Sequence, residues 1–194
     1  AWEALQPDGQ LLEFGALRDL AFQRPDHLRV DITLREGGKR QLLYDGQQVV
    51  LQDLDQNVYA TAPRSGRVDE VVAFVSDTFG VPVALAEFLS PDLPALLSHK
   101  VESATYVGEE TVDGVLTRHV AMQNTAGALE LWIGVEDSLP RRITIRYEYD
   151  PGQPRFQARF ADWKLAPDFP EAAFAFEPPA GAKKIAFAAR PKAQ

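Results

Sequence analysis

The sequence predicts a mainly β (α+β) fold, in which a strongly curved antiparallel sheet forms an unclosed β-barrel and short helices cover its concave face. Three observations predict it. Apolar and polar residues alternate in many segments of strand length, which is typical of a sheet with one buried face. Turn dipeptides such as Asp45-Gly46 and Asp113-Gly114 separate these segments, as in β-hairpins. Residues 67–99 change to helical spacing.

The strands before residue 67 are predicted from alternation and turns. Alternation is clearest in residues 28–35, where every second residue is apolar, so one face is buried and the other is wet. Asp8-Gly9, Gly37-Gly38 and Asp45-Gly46 supply the turns. The predicted strands are Ala1–Leu5, Leu11–Gln23, Leu28–Arg35, Gln41–Tyr44, Gln47–Leu54 and Asn57–Thr61.

The helical block begins with an apolar stripe. Asp69 and Glu70 fall in its first turn, where they complement the helix dipole, and Gly80 followed by Pro82 ends it. Two shorter helical segments are predicted at Val83–Leu89 and Leu93–His99. The stripe consists of Val68, Val71, Val72, Val75 and Phe79.

Strands resume after residue 100. Their predicted ranges are Val101–Val112, Val115–Asn124, residues 129–136, residues 142–149 and Arg155–Leu165, and the tail adds a short strand before Pro178-Pro179. Nearly every connection has the length of a hairpin, which favours an antiparallel meander. We therefore expect one domain, residues 1–194, with a helical insertion at about residues 67–99 between two sets of strands.

Composition excludes several classes of protein. A chain of 194 residues suits one domain, and its net charge of −8 includes no Lys/Arg run that would bind nucleic acid. The absence of Cys excludes disulfides and thiolate chemistry. No apolar run is long enough for a transmembrane segment. Since the chain does not begin with Met, we expect that upstream residues, such as a signal peptide, have been removed.

No residue pattern indicates catalysis, a cofactor or a metal. His27, His99 and His119 lack the spacing of a metal site, so we interpret them as surface or structural residues. Glu109 and Glu110 point to opposite faces of a strand and cannot share a site. Asp53 and Asp55 fall in a predicted loop and are interpreted as solvated carboxylates, and no nucleophile elbow or phosphate loop is present. Trp2, Trp132 and Trp163 are interpreted as half-buried sheet residues or as a ligand-contacting cluster.

The curved sheet predicts a cavity. A twisted sheet of this many strands curls, and a few short helices fill its concave side poorly, so an apolar cavity is expected between sheet and helices. The alternative is that the helices complete an ordinary core. The sequence does not determine which sheet face is concave. If it is the opposite face, the residues that alternate with the expected lining residues would line the cavity instead. The expected lining residues are Leu28, Val30, Ile32, Leu131, Ile133, Ile143, Ile145, Phe156 and Phe160 from the sheet, with Val71, Val72, Val75 and Phe79 from the helix.

Four segments carry a family resemblance. They are LQPDGQ at Leu5–Gln10, LAFQRPDHLRV at Leu20–Val30, LLYDGQQVVLQDLDQNVYA at Leu42–Ala60 and FAFEPPAGA at Phe174–Ala182. In this order and spacing, the chain resembles predicted periplasmic proteins of unknown function within the periplasmic lipoprotein-carrier superfamily. The resemblance implies an unclosed β-barrel around lid helices, an apolar cavity for acyl chains and a location in the bacterial envelope. It also implies that Arg24, directly before Pro25, is a latch that holds the lid shut.

Two departures from that superfamily limit what is carried over. The long N-terminal helix of its members is missing from this chain, and the block at residues 67–99 does not align with the carriers' lids. Lipoprotein transfer is therefore not implied by the fold alone.

Two functions are consistent with these features. The first is a non-enzymatic periplasmic protein that holds an acyl chain, a lipid or a lipoprotein in the apolar cavity. The second is an interaction or sensor module with a filled core, which binds another envelope protein through a sheet edge or the helical surface. An empty apolar volume favours the first and a dense core favours the second. An enzymatic role, such as a hydrolase, is a weaker third hypothesis, and the oligomeric state is not predicted.

Overall fold

The computed structural model describes residues 1–79, 90, 92, 95, 101–125 and 127–187. Strands β1 to β7 precede the helix α1 (Val68–Phe79), and strands β8 to β13 follow it. The first set is Trp2–Leu5, Leu11–Phe14, Ala16–Gln23, His27–Leu34, Lys39–Asp45, Gln48–Asp53 and Val58–Pro63. The second set is Val101–Val112, Val115–Asn124, Gly127–Gly134, Pro140–Arg146, Arg155–Arg159 and Lys183–Lys184, and a 3₁₀ turn lies at Glu171–Ala173.

The mainly β class is confirmed, but the helical cover is not. In the described ranges one α-helix is present, and the segments predicted at Val83–Leu89 and Leu93–His99 lie outside the described residues, apart from the isolated Ala95. The strands form two hydrogen-bonded sheets instead of one. Their orders are β2-β1-β12-β11-β10-β9-β8 and β13-β7-β6-β5-β4-β3, and neither closes on itself.

Two compact units contain these sheets. The seven-stranded sheet belongs to a unit made of Ala1–Gly15 and Pro94–Pro167, and the six-stranded sheet belongs to one made of Ala16–Leu93 and Asp168–Gln194. The expectation of one domain is not tested by this division and stays a prediction.

Several strand predictions were wrong at their boundaries, and three of them have a clear physical reason. The strand predicted at Leu11–Gln23 is interrupted at Gly15. Before this residue β2 pairs with β1, and after it β3 pairs with β4. Glycine favours such a break because it weakens the interior of a strand. The strand predicted at Arg155–Leu165 ends at Arg159, and Asp162 soon afterwards has φ of 55°, which extended backbone does not allow. In the tail, the strand follows Pro178-Pro179 instead of preceding it, and it pairs in parallel with β7.

The six-stranded unit has its core between α1 and one sheet face. Leu28, Leu42 and Val49 lie on that face and pack with Val71, Val72 and Val75 of the helix in one buried cluster. The helix begins with half of a capping box, since the Arg67 amide donates to Glu70 Oε2 at 3.0 Å. The Val68 amide donates to the Pro25 carbonyl at 2.9 Å. The turn at residues 24–26 therefore fixes where α1 starts.

Tyr44 links this core to the start of α1. Its burial predicts that the protein loses stability at alkaline pH. Its ring is 1% exposed, and its hydroxyl donates to the Gly66 carbonyl at 2.7 Å. Burial, reinforced by the nearby Asp26 carboxylate, raises the pKa of Tyr44 above its ordinary value of 10.0. A raised pKa favours the protonated folded state, so this contribution is complete below pH 10 and is lost as the pH rises through the folded pKa. Urea unfolding at pH values from 8 to 11 should show that the free energy of unfolding declines with pH in wild type and declines less steeply in Tyr44→Phe. Equal declines in the two proteins would contradict this.

Candidate functional site

An extended apolar feature is a row that crosses the seven-stranded sheet. Directly paired residues share a face, and the strand register places one apolar residue of each strand in a single line. The middle of the row is the most buried, with Leu129 and Phe156 each 8% exposed. From β2 to β8 the row is Phe14, Trp2, Phe156, Ile145, Leu129, Met122 and Ala104.

The predicted lining residues of the second half of the chain that belong to strands lie on this same face, and Phe160 directly follows the end of β12. Ile145 and Phe156 are members of the row, and Leu131 pairs with Ile143 in the next line. Leu131, Ile143 and Phe156 are buried, whereas Ile133, Ile145 and Phe160 are half-buried. The structure therefore brings these positions together on one sheet face. Their role as a ligand lining is not tested and stays a prediction.

The predicted lining residues of the first half lie in the six-stranded unit. Leu28 and Val30 are buried in the cluster with Val71, Val72 and Val75, and Ile32 packs at its margin. These side chains contact one another directly, as the filled-core alternative expects. The side chain of Phe79 lies outside the described residues.

Arg24 lies in a turn that meets α1 through its backbone. The guanidinium is exposed and its carbon lies 5.5 Å from the centroid of the Phe22 ring, a cation–π contact. The adjacent Pro25 carbonyl makes the bond to the helix start described above. The latch function implied by the family resemblance is not tested by these contacts.

The opposite face of the seven-stranded sheet has an open pocket of about 250 Å³ that is lined mainly by charged and polar residues. We call it the charged-face pocket. Trp132 lies at one end, with Arg142 over its ring at 4.4 Å and His119 stacked on it at 4.1 Å. The lining is Ala128, Glu130, Trp132, Arg142, Thr144, Arg146, Glu148, Arg155 and Gln157.

A second pocket, of about 350 Å³, lies in the six-stranded unit under the C-terminal segment. That segment covers the sheet face opposite α1, with Phe174 against His27 and Phe176 against Tyr59. The lining consists of Gln41, Leu43, Gln52, Ala172, Ala175, Phe176 and Glu177.

The Gln52 amide in this second pocket predicts a stabilising substitution. Gln52 is 5% exposed, and its Nε2 has no hydrogen-bond partner in the described part of the chain. Because a buried donor without a partner costs about 1–3 kcal/mol, Gln52→Leu should raise the free energy of unfolding by about 1 kcal/mol. Gln41→Leu is the matched control, since Gln41 Nε2 donates to Asp31 Oδ1 at 2.5 Å and should lose stability. Urea unfolding of both variants checks this, and a decrease for Gln52→Leu would contradict it.

A family model of predicted periplasmic proteins, DUF2092, matches residues 1–188. The chain belongs to the DUF2092 family. The resemblance drawn from the four sequence segments is thereby confirmed at the level of the family, and so is the periplasmic location. None of the curated proteins matches the chain.

Several solved structures are similar to this DUF2092 protein. An uncharacterised conserved protein from Thermus thermophilus has 14% identity and a TM-score of 0.45, covering 89% of this chain and 83% of its own. Lipoprotein LppX from Mycobacterium tuberculosis has 17% identity and a TM-score of 0.42, covering 73% and 72%. A DUF1329 family protein from Desulfovibrio piger has 12% identity and a TM-score of 0.30, covering 77% and 65%. At this level of similarity none of them bears on the function.

Across the ranges that the structure describes, no helix of the DUF2092 protein is long and apolar enough to cross a membrane. Those ranges also hold no group of three or more His, Asp and Glu side chains placed to bind a metal ion.

The other residues singled out in the sequence lie in separate places. Glu110 contacts the Trp132 indole nitrogen, whereas Glu109 lies 4.0 Å from Arg118, so the two carboxylates have different partners. The tryptophans do not form a cluster: Trp2 stacks on Phe14, Trp132 on His119 and Trp163 on Phe160. His27 bonds to Asp26 at 2.8 Å, and His99 lies outside the described residues.

Sequence reasoning missed the charged-face pocket of this DUF2092 protein. The alternation of Arg142, Thr144 and Arg146 marks a polar face, but Arg155 belongs to another strand. Only the pairing register places Arg155 beside Arg146, and register cannot be obtained from alternation alone.

Proposed function

We propose that this protein is a non-enzymatic periplasmic binding protein that holds an acyl chain or a similar apolar ligand on the apolar face of its seven-stranded sheet. The observation that supports this proposal is the row of seven apolar residues, one from each strand. An extended hydrocarbon chain is the ligand shape that suits a row of apolar side chains across seven strands, and it would contact the members that are not fully buried, such as the half-buried Ile145 and Met122. Each buried methylene contributes about 0.8 kcal/mol, so a long chain reaches useful affinity without a charged contact.

The first experiment asks what is bound to the purified protein. Native mass spectrometry of the full chain, followed by organic extraction and lipid analysis, should detect an acyl species at near-stoichiometric amounts. If the mass is that of the protein alone and added palmitate does not bind, the acyl-chain proposal is wrong.

A pair of variants then tests where the ligand lies. Ile145 is half-buried in the middle of the row, and an amide there removes contact with about two methylenes, so Ile145→Asn should weaken palmitate binding about tenfold. Arg159→Asn is the matched control, because Arg159 lies on the opposite face and bonds to Asp113 at 2.7 Å. Calorimetric titration with palmitate measures both. Equal affinities in the two variants would place the ligand elsewhere.

A second function is supported by a different observation. The α1 side chains that were expected to contact a ligand pack instead with the six-stranded sheet. In addition, β8 is a 12-residue strand at the end of the seven-stranded sheet, with Tyr106 59% and Val107 56% exposed. Exposed sheet edges accept a strand from another protein, so an envelope protein partner at β8 is the alternative. Pull-downs distinguish this alternative from the acyl-chain proposal. If a partner strand pairs with β8, wild type should capture an envelope protein and Val107→Pro, which removes a backbone donor from β8, should capture less of it.

A further inference from the structure

The charged-face pocket contains two arginines that face each other across neighbouring strands. Arg146 of β11 is directly opposite Arg155 of β12. Directly opposed side chains have Cβ atoms about 4.5–5.5 Å apart, and like charges at that separation destabilise a sheet. In the described part of the chain, neither guanidinium forms an ion pair.

The next arginine pair along these strands shows how such repulsion is relieved. Arg142 is directly opposite Arg159. Arg159 bonds to the Asp113 carboxylate at 2.7 Å, and Arg142 lies over the Trp132 ring. Both members of that pair therefore have a side-chain partner that disperses their charge. In the described part of the chain the Arg146 and Arg155 guanidinium groups have no such partner, because the neighbouring Glu3 carboxylate bonds to the Arg155 backbone amide, at 2.8 Å, and not to its guanidinium.

The carboxylates of the pocket are engaged by other side chains. Glu130 Oε2 lies 2.9 Å from His119 Nε2, and Glu148 Oε2 accepts a hydrogen bond from Gln123 at 2.7 Å. The lining contains three arginines and two glutamates, so it is positive in a chain whose net charge is −8. A local excess of positive charge in an acidic protein favours an anion at this position.

Thr144 supplies an independent observation in the same pocket. It lies on β11 between Arg142 and Arg146, on the same face. Its Oγ1 is buried and has no hydrogen-bond partner among the residues that the structure describes. A buried hydroxyl without a partner is unfavourable, and an acceptor atom in the pocket would remove that penalty.

We propose that the charged-face pocket binds a phosphate group, with Arg146 and Arg155 as charge-assisted donors and the Thr144 hydroxyl as a third donor. Guanidinium groups bind phosphate oxygens in a bidentate manner, and a tetrahedral phosphate has enough acceptors for all three residues. Its charge also removes the repulsion between the two arginines. The phosphate belongs either to a soluble molecule or to a phospholipid headgroup. This site lies on the face opposite the apolar row, so it does not depend on the proposed function.

The test is a titration of the full chain with inorganic phosphate, at an ionic strength held constant with sodium chloride. Calorimetry measures affinity, and the indole N–H signal of Trp132 in nitrogen-15 NMR reports on the pocket. Because charge-assisted hydrogen bonds are strong, Arg146→Gln/Arg155→Gln should weaken phosphate binding by about tenfold or more. Arg159→Gln is the matched control, since it removes an arginine of the same face that has its own carboxylate partner, and it should bind phosphate as wild type does.

The stability of the same variants gives a second readout. Without phosphate, Arg146→Gln should be at least as stable as wild type, because the opposed like charges are gone. Phosphate should raise the melting temperature of wild type more than that of the double variant, because a bound ligand stabilises the folded state in addition to the general effect of the excluded salt, which both proteins share. A loss of stability in Arg146→Gln without phosphate would contradict the repulsion on which the proposal rests.

Vesicles identify the source of the phosphate. Phosphatidylglycerol and phosphatidylcholine vesicles are each mixed with the protein and sedimented. If phosphatidylglycerol vesicles bind it and inorganic phosphate releases it, the ligand is a headgroup; if inorganic phosphate binds but vesicles do not, the ligand is soluble. The proposal is overturned if neither binds, or if the double variant and Arg159→Gln respond alike.

Discussion

Val72→Asp is expected to leave the protein unfolded in buffer at neutral pH, whereas Ala73→Asp is expected to fold. Val72 is 1% exposed and lies in the buried cluster of the six-stranded unit, and the neighbouring Ala73 faces outwards on the same helix. The described members of that cluster are apolar except for the Tyr44 hydroxyl, which already donates to Gly66. A carboxylate at position 72 would therefore have no cation or donor among them.

The size of this effect follows from the desolvation of a charge. Burying an unpaired carboxylate costs several kcal/mol, and the burial of Val72 itself, about 1.5–3 kcal/mol, is lost as well. The total is comparable with the whole stability of a typical domain, about 5–15 kcal/mol. Ala73→Asp adds like charges next to Asp69 and Asp77 and should cost about 1 kcal/mol or less. Far-UV circular dichroism and urea unfolding measure both variants, and equal urea midpoints would show that α1 is not packed as described.

The sequence predicted the elements of the fold better than their assembly. Period-two alternation and turn dipeptides located most strands, because a half-buried strand and a tight turn are determined by neighbouring residues. The Asp113-Gly114 turn is an example: φ is 48° at Asp113 and 83° at Gly114, as a two-residue hairpin turn requires. Division of the strands into two sheets depends on pairing between distant residues, such as Trp2 with Phe156, which no local pattern contains.

The candidate sites show the same limit. Apolar positions such as Leu131 and Ile143 were placed on one face correctly, because alternation alone determines a face. Whether a face is a filled core or a ligand surface depends on what covers it, and the burial of Val72 and Val75 by the six-stranded sheet is a tertiary fact. The opposed arginines at positions 146 and 155 depend on register in the same way.

The C-terminal segment was misinterpreted for a specific reason. The sequence Phe174-Ala175-Phe176 alternates as a strand does, and a strand was predicted there. In the structure this segment lies across the sheet, and the residues that pair with β7 are Lys183 and Lys184, opposite Val58 and Tyr59. Two aromatic residues with one residue between them suit a strand that hydrogen-bonds within a sheet, and they suit a segment that packs across a sheet equally well. The pattern therefore cannot distinguish these two arrangements.

Phe174→Ala is expected to destabilise the six-stranded unit by about 3–5 kcal/mol, the range measured for large aromatic residues truncated in protein cores. Phe174 is 1% exposed, and its ring contacts His27 and Phe169 edge-on, with centroids 5.2 and 5.4 Å apart. We therefore expect Phe174 to be a main anchor of the C-terminal segment on the sheet. Phe176→Ala is the matched control, because Phe176 is half-buried against Tyr59 and should cost less.

Hydrogen exchange distinguishes the loss of an anchor from a general loss of stability. The Lys183 amide donates to the Asn57 carbonyl at 3.0 Å, and the Ile185 amide donates to the Tyr59 carbonyl at 2.8 Å. If Phe174 anchors the segment, these two amides should lose protection in Phe174→Ala under conditions where amides of β4 and β5 remain protected, because local opening needs less free energy than global unfolding. Protection that falls equally at β13 and at β4 would show that Phe174 supports the whole unit, whereas unchanged protection at β13 would show that the parallel strand holds the tail without it.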